Sequence, residues 1–175
     1  MVKSTKKQRL SDEKKIFSAV HKHYHNNIDQ IAKDCGFSRK KTLKLIDKLE
    51  KNKMIWGYAA IVDETEKDMC HFFMLIKKTA KPLDKETIEK IDAMQLEDLT
   101  VDLQVEIESN CYVHGPYDWL VSFIAPDITE AKKFSDAIKS QFPGCIQHIE
   151  IIQTLCFVKR HYIPSPDKIK LSDFM

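Results

Sequence analysis

Glycine is scarce in this chain. Only Gly36, Gly57, Gly115 and Gly144 occur in 175 residues. No two stand at the spacing of a G-x-G-x-x-G or G-x-x-x-x-G-K loop, which excludes a dinucleotide fingerprint and a P-loop. The cysteines, Cys35, Cys70, Cys111, Cys145 and Cys156, are odd in number and form no C-x-x-C pair. Neither a disulfide scaffold nor a zinc ribbon is therefore expected, and the five read as small buried hydrophobes. No apolar run approaches the ~20 residues that a membrane-spanning helix needs. The first stretch, MVKSTKKQRLSDEKK, lacks an apolar h-region, so a secretory signal is not expected and a cytoplasmic protein is. Arginine is nearly missing from residues 61–175, where Arg160 stands alone. No Ser-His-Asp order, carboxylate pair or metal triad stands out, so no catalytic residue, cofactor or metal is expected.

What the chain does have is charge, unevenly placed. Its 28 Lys+Arg and 26 Asp+Glu leave a formal net charge of +2. Residues 1–60 carry 15 basic and 6 acidic side chains, whereas residues 61–175 carry 13 and 20. Such asymmetry points to one end that binds a polyanion and another with a different task. The length suits one ordinary domain or two small ones.

The basic end reads as three short helices. Ser11 is placed to cap the first, with Asp12 and Glu13 in its first turn and Ile16, Phe17, Val20 and Tyr24 as its apolar stripe. Asn27 caps the second, with Gln30 three residues on, and Gly36 stops it. Ser38 caps the third, which runs to about Asn52 with Thr42, Leu45, Ile46 and Leu49 inward. Two helices joined by a short Gly-containing turn form the helix-turn-helix pattern. The free face of the third is basic, which suits a DNA major groove and its phosphates. The DNA-contact candidates are Ser38, Arg39, Lys40, Lys41, Lys44 and Lys48, and double-stranded DNA is the expected partner. His21, His23 and His25 form H-x-H-x-H near the end of the first helix, where the helix dipole favours protonated histidine without any metal.

Beyond Lys53 the period changes to that of strands. MIWGYAAIVD (54–63) reads as a linking strand and HFFMLIKKT (71–79) as a strand apolar on both faces. DKETIEKIDAM (84–94) reads as a helix, while VDLQVEI (101–107) and NCYVH (110–114) read as strand pieces. WLVSFIA (119–125) is another two-sided strand. Asp127 and Glu130 cap a helix with Ala131, Phe134, Ile138 and Phe142 inward, and HIEIIQTLCFVK (148–159) is the last strand. The order is β-α-β-β-α-β, the ferredoxin-like unit. Its two helices cover one sheet face, yet the strands are apolar on both, so a second copy is expected on the other. A charge at Phe123 or Ile151 is expected to break that dimer or unfold it. The alternative is that the long insertion and the C-terminal tail cover the face.

These pieces together resemble the Lrp/AsnC ("feast/famine") transcription regulators of bacteria and archaea. The resemblance spans about residues 10–160. It is carried by NNIDQIAKDCGFSRKKTLKLIDKLEKNKMIWGYAAIVD, by VHGPYDWLVSFIAPD and by FPGCIQHIEIIQTLCFVK. The chain departs from the family pattern at Leu45, where an Arg is usual, at Lys53, where a Gly is usual, near Lys14, where an acid is usual, and in extra residues within 95–107.

The resemblance implies an α+β fold with a winged helix-turn-helix domain over 1–53, a linker strand over 54–63, a ferredoxin-like (RAM-type) dimerisation and effector domain over 64–160, and a tail over 161–175. It also implies a homodimer or a higher assembly such as an octamer, and a small effector, often an amino acid, held around Gly115, Pro116, Tyr117 and Asp118. Such a turn can offer backbone N–H groups to a carboxylate, Asp118 can accept from an ammonium, and Tyr117 can wall a pocket. A plain β-turn with Asp118 bonding turn amides is the alternative. The architecture is shared with siroheme decarboxylase subunits, but the lone Arg160 leaves no cluster for tetrapyrrole propionates. An effector-independent architectural DNA binder is the other alternative.

Overall fold

Side chains that accept from free backbone N–H groups set the helix starts. The structure, a computed structural model, describes residues 6–20, 27–64, 68–93, 96–166 and 172. The chain divides into two compact units, Met1–Val62 with Phe157–Met175, and Asp63–Cys156.

The first unit holds α1 (Lys6–Val20), α2 (Ile28–Cys35) and α3 (Arg39–Lys51). Asn27 caps α2 by accepting from the Gln30 N–H at 3.2 Å. Gly36 ends that helix in the left-handed region (φ 68, ψ 38). The Gly36 and Phe37 amides then return to the carbonyls of Lys33 and Ala32. Ile16, Ala19, Ile31, Cys35, Ile46 and Leu49 form the buried core of this unit. Helix α1 begins five residues before the expected Ser11 cap. The intervening Lys, Gln, Arg and Leu are good helix formers, and Gln8 bonds Asp12 one turn on, at 3.0 Å. Tyr24 and the three histidines of H-x-H-x-H lie outside the described residues. The stretch 55–63 forms no strand among the described residues. A strand needs a neighbouring ladder, and Trp56, 96% exposed, faces none. The same unit includes a small hairpin of β5 (Lys159–Arg160) and β6 (Ile163–Pro164).

The second unit is β1 (Cys70–Lys78), α4 (Lys85–Ala93), β2 (Glu106–Tyr112), β3 (Trp119–Ala125), α5 (Ile128–Gln141) and β4 (Ile146–Gln153). The four-stranded antiparallel sheet has the order β2-β3-β1-β4, as in a ferredoxin-like fold. One face carries Phe72, Met74, Ile76, Trp119, Val121 and Phe123, packed with Ala131, Phe134 and Ile138 of α5 and with Phe142 just after it. Asp127 caps α5 by accepting from the Thr129 and Glu130 amides, and those bonds, led by Glu130, lower its carboxyl pKa. Leu96 and Val105 from the insertion fill the same core, so that segment lies with the helix-side core. Phe123 and Ile151 also belong to this covered core, which corrects their expected place on the open face.

Two strand boundaries differ from the sequence reading. The alternation over 101–107 belongs partly to a turn at 101–104, where the Leu103 N–H meets the Thr100 carbonyl at 2.9 Å. The last strand stops at Gln153. The Thr154 amide still reaches the His71 carbonyl, but β1 begins at Cys70 and offers no ladder beyond.

Candidate nucleic-acid interface and effector turn

The basic face of α3 is narrower in the fold than on paper. Ser38 accepts from the Lys41 N–H at 3.3 Å and so serves the helix start. Lys41 turns back to α1, its ammonium 2.6 Å from Asp12 and 3.8 Å from the Phe37 ring centroid. The hydrogen bond from Lys41, aided by one from Gln8, outweighs burial and lowers the Asp12 pKa. Lys48 is held by Glu13 of α1. Arg39 meets Asp29 at 2.7 Å, with both side chains mostly exposed. Exposed pairs of this kind contribute little, so a phosphate can displace Asp29 at small cost. Lys40 and Lys44 are exposed, one turn apart, and pair with no carboxylate among the described residues. Leu43, 45% exposed, lies between them. Thr42, Ile46 and Leu49 anchor the opposite face.

The chain after α3 is tied to that helix. The Met54 amide donates to the Leu49 carbonyl at 2.9 Å. Trp56 Nε1 donates to the Lys53 carbonyl, and Tyr58 OH to Glu50 at 2.8 Å. Burial and the Glu50 carboxylate push the Tyr58 pKa up to about 12, so its hydroxyl stays protonated as a donor.

At the turn, Asp118 and Tyr117 both have partners within the chain. The Asp118 carboxylate accepts from the Lys78 N–H at 3.0 Å, and its own amide donates to the Ile76 carbonyl at 2.9 Å. Tyr117 OH donates to Glu150, and that bond raises its pKa. Gly115 and Pro116 are exposed. A Cβ on Gly115 would meet nothing within 4 Å, so packing in this chain does not require glycine there.

The open face of the sheet holds a polar network that sequence reasoning missed. His71, 5% exposed, bonds Thr154 Oγ1 through Nδ1 at 2.7 Å and Glu108 through Nε2 at 3.0 Å. Glu108 also accepts from Ser122, which pairs with Ser109 at 2.6 Å. A β-bulge between Ile107 and Ser109 brings Glu108 to this face, and no residue pattern announces it. Phe73, Leu75, Leu120 and Ile152 share the face and stand outside the helix-side core.

No protein-family model matches the chain, and no curated protein does. Solved structures do. An AsnC family transcriptional regulator of Agrobacterium tumefaciens superposes with a TM-score of 0.61 at 16% identity, covering 94% of this chain and 97% of that one. A transcriptional regulator of Neisseria meningitidis, solved as a complex with L-Met, gives 0.62 at 14% identity with the same coverage. AsnC of E. coli gives 0.54 at 18% identity, covering 86% and 94%. The chain has the fold of the AsnC/Lrp transcriptional regulators: helix-turn-helix and ferredoxin-like units in one chain.

Proposed function

We propose that the chain is a DNA-binding transcriptional regulator acting in the cytoplasm and not an enzyme. Residues 1–53 bind double-stranded DNA, 54–63 link, and 64–160 dimerise and hold a small effector. The observation that carries this reading is the unpaired Lys40–Lys44 face on a capped helix-turn-helix, in the basic unit of the chain. Arg39 joins that face by releasing Asp29. Lys41, Lys48 and Ser38 keep the helix in place and take a positioning role. The apolar residues of the open sheet face, Phe73, Leu75, Leu120 and Ile152, support assembly into a homodimer. The neighbour crystallised with L-Met supports an amino-acid effector, placed here at Gly115–Asp118.

A genome-wide binding footprint tests the proposal. Occupancy of discrete sites that share a sequence is the expected result, and uniform coverage would overturn a sequence-specific regulator. The second reading, an effector-independent architectural DNA binder, is favoured by the internal partners of Asp118 and Tyr117.

A further inference from the structure

The open face of the sheet is mixed in character. Phe73, Leu75, Leu120 and Ile152 make it apolar, but one end holds the His71–Glu108 pair. His71 is already 5% exposed in the single chain. Its Nε2 lies 3.0 Å from Glu108 Oε2. An ionised carboxylate only accepts, so Nε2 carries a hydrogen. Its Nδ1 lies 2.7 Å from Thr154 Oγ1. A hydroxyl donates to the neutral ring and accepts from the protonated one. The same partners therefore hold either charge state without losing a bond. Glu108 is the wetter member of the pair, its side chain 26% exposed, and its Oε2 also accepts from Ser122. Glu106 stands opposite Ile124, in the same cross-strand row as His71, and adds negative charge there. Strand β3 places Ile124 and Ser122 beside His71, β1 places Phe73, and the chain after β4 places Thr154; none of these titrates. Cys111, Lys77, His148 and Glu150 stand further along the face.

We propose that covering this face with a second copy takes up a proton at each His71–Glu108 pair, so that the dimer tightens as pH falls toward 6 and loosens as pH rises. This rests on the reading of the open face as a homodimer interface. A second copy strips the remaining water from Glu108. Opposite a neutral ring, that carboxylate becomes an uncompensated buried charge, which is costly. One proton, whichever of the two groups holds it, makes the pair neutral overall. Histidine ordinarily titrates near pH 6.5, so the uptake falls in the range around neutrality. The pair holds its proton more tightly in the dimer than in the monomer. Its contribution is therefore complete at low pH and is lost as pH rises. An isologous dimer carries two such pairs, one from each copy.

The test is the dimer Kd of the full-length protein, measured by sedimentation equilibrium at pH 6 and pH 9. The wild-type Kd should rise roughly tenfold to a hundredfold between them, for up to two protons per dimer. Glu108→Gln keeps an acceptor for His71 and Ser122 but carries no charge. It should lose that rise and remain dimeric at pH 9. His148→Gln removes the other histidine of the face and should keep the rise. A wild-type Kd that is the same at both pH values, or a rise that survives in Glu108→Gln, would overturn the proton uptake and leave the homodimer standing. A wild type that is monomeric at both pH values would overturn the homodimer and this proposal with it.

Discussion

At the scale of single residues, cations that look alike in the sequence divide by what lies opposite them. Lys40 and Lys44 face outward, while Lys41 and Lys48 reach carboxylates on α1. The sequence marks all of them as one basic helix face, and that much was legible, as were the Asn27 and Ser38 caps. The division was not, because the partners Asp12 and Glu13 lie 29 and 35 residues earlier. On sequence alone those acids read as first-turn residues. Lys41→Ala should lower the unfolding temperature of the helical unit, since the nearly buried Asp12 loses its cation. Lys40→Ala should stay within about 0.5 kcal/mol of wild type. Differential scanning calorimetry separates the two. Asp12 also sets a pH dependence. Its folded pKa is lowered, so its contribution is present above the ordinary value of 3.8 and is lost as pH falls through the lower folded value. Between 3.8 and that lower value, stability should therefore fall less steeply with acid in Lys41→Ala than in wild type.

At the scale of elements, what the period of the sequence specified appeared, and what depended on a distant neighbour did not. Helix α5 is inward at Ala131, Phe134 and Ile138, with Phe142 just beyond its end, as the spacing demands. The stretch 54–63 has strand composition but meets no ladder among the described residues, and β4 stops opposite the start of β1. The bulge that delivers Glu108 to His71 has no sequence signal. The turn at 115–118 was legible as a turn, while the bonds from Lys78 to Asp118 and from Tyr117 to Glu150 depend on strand register. Asp118→Asn keeps an acceptor for the Lys78 amide, so thermal stability should change by less than about 0.5 kcal/mol. Asp118→Ala leaves that amide without its partner and should cost about 1 kcal/mol. If Asp118 also meets an effector ammonium, Asp118→Asn should weaken binding about tenfold to a hundredfold, the value of a charge-assisted bond of about 1.5–3 kcal/mol. Calorimetric titration of the twenty amino acids reads this directly. Equal binding by the variant would make the turn structural only.

At the scale of the whole molecule, charge and apolar surface divide between the two units. The helical unit collects the cations, and the sheet unit keeps an open face with Phe73, Leu75, Leu120 and Ile152. Two-sided strands were readable from composition. Which side the helices cover was not, because the choice between Phe72 and Phe73 as core follows from the β1–β3 register and α5 packing. Phe73→Asp or Ile152→Asp should give a folded monomer in sedimentation velocity, with helical content unchanged. Phe123→Asp should unfold the sheet unit, since Phe123 is fully buried against α5. A wild type that sediments as a monomer would remove the proposed dimer.

The central claim is that α3 enters DNA with Lys40 and Lys44 as its free cations. It is tested most directly by the slope of log affinity against log salt for wild type and for the Lys40→Ala, Lys44→Ala double variant on one duplex. The account predicts a slope lower by about two units in the variant, at an unchanged unfolding temperature. An unchanged slope in a folded variant would contradict it.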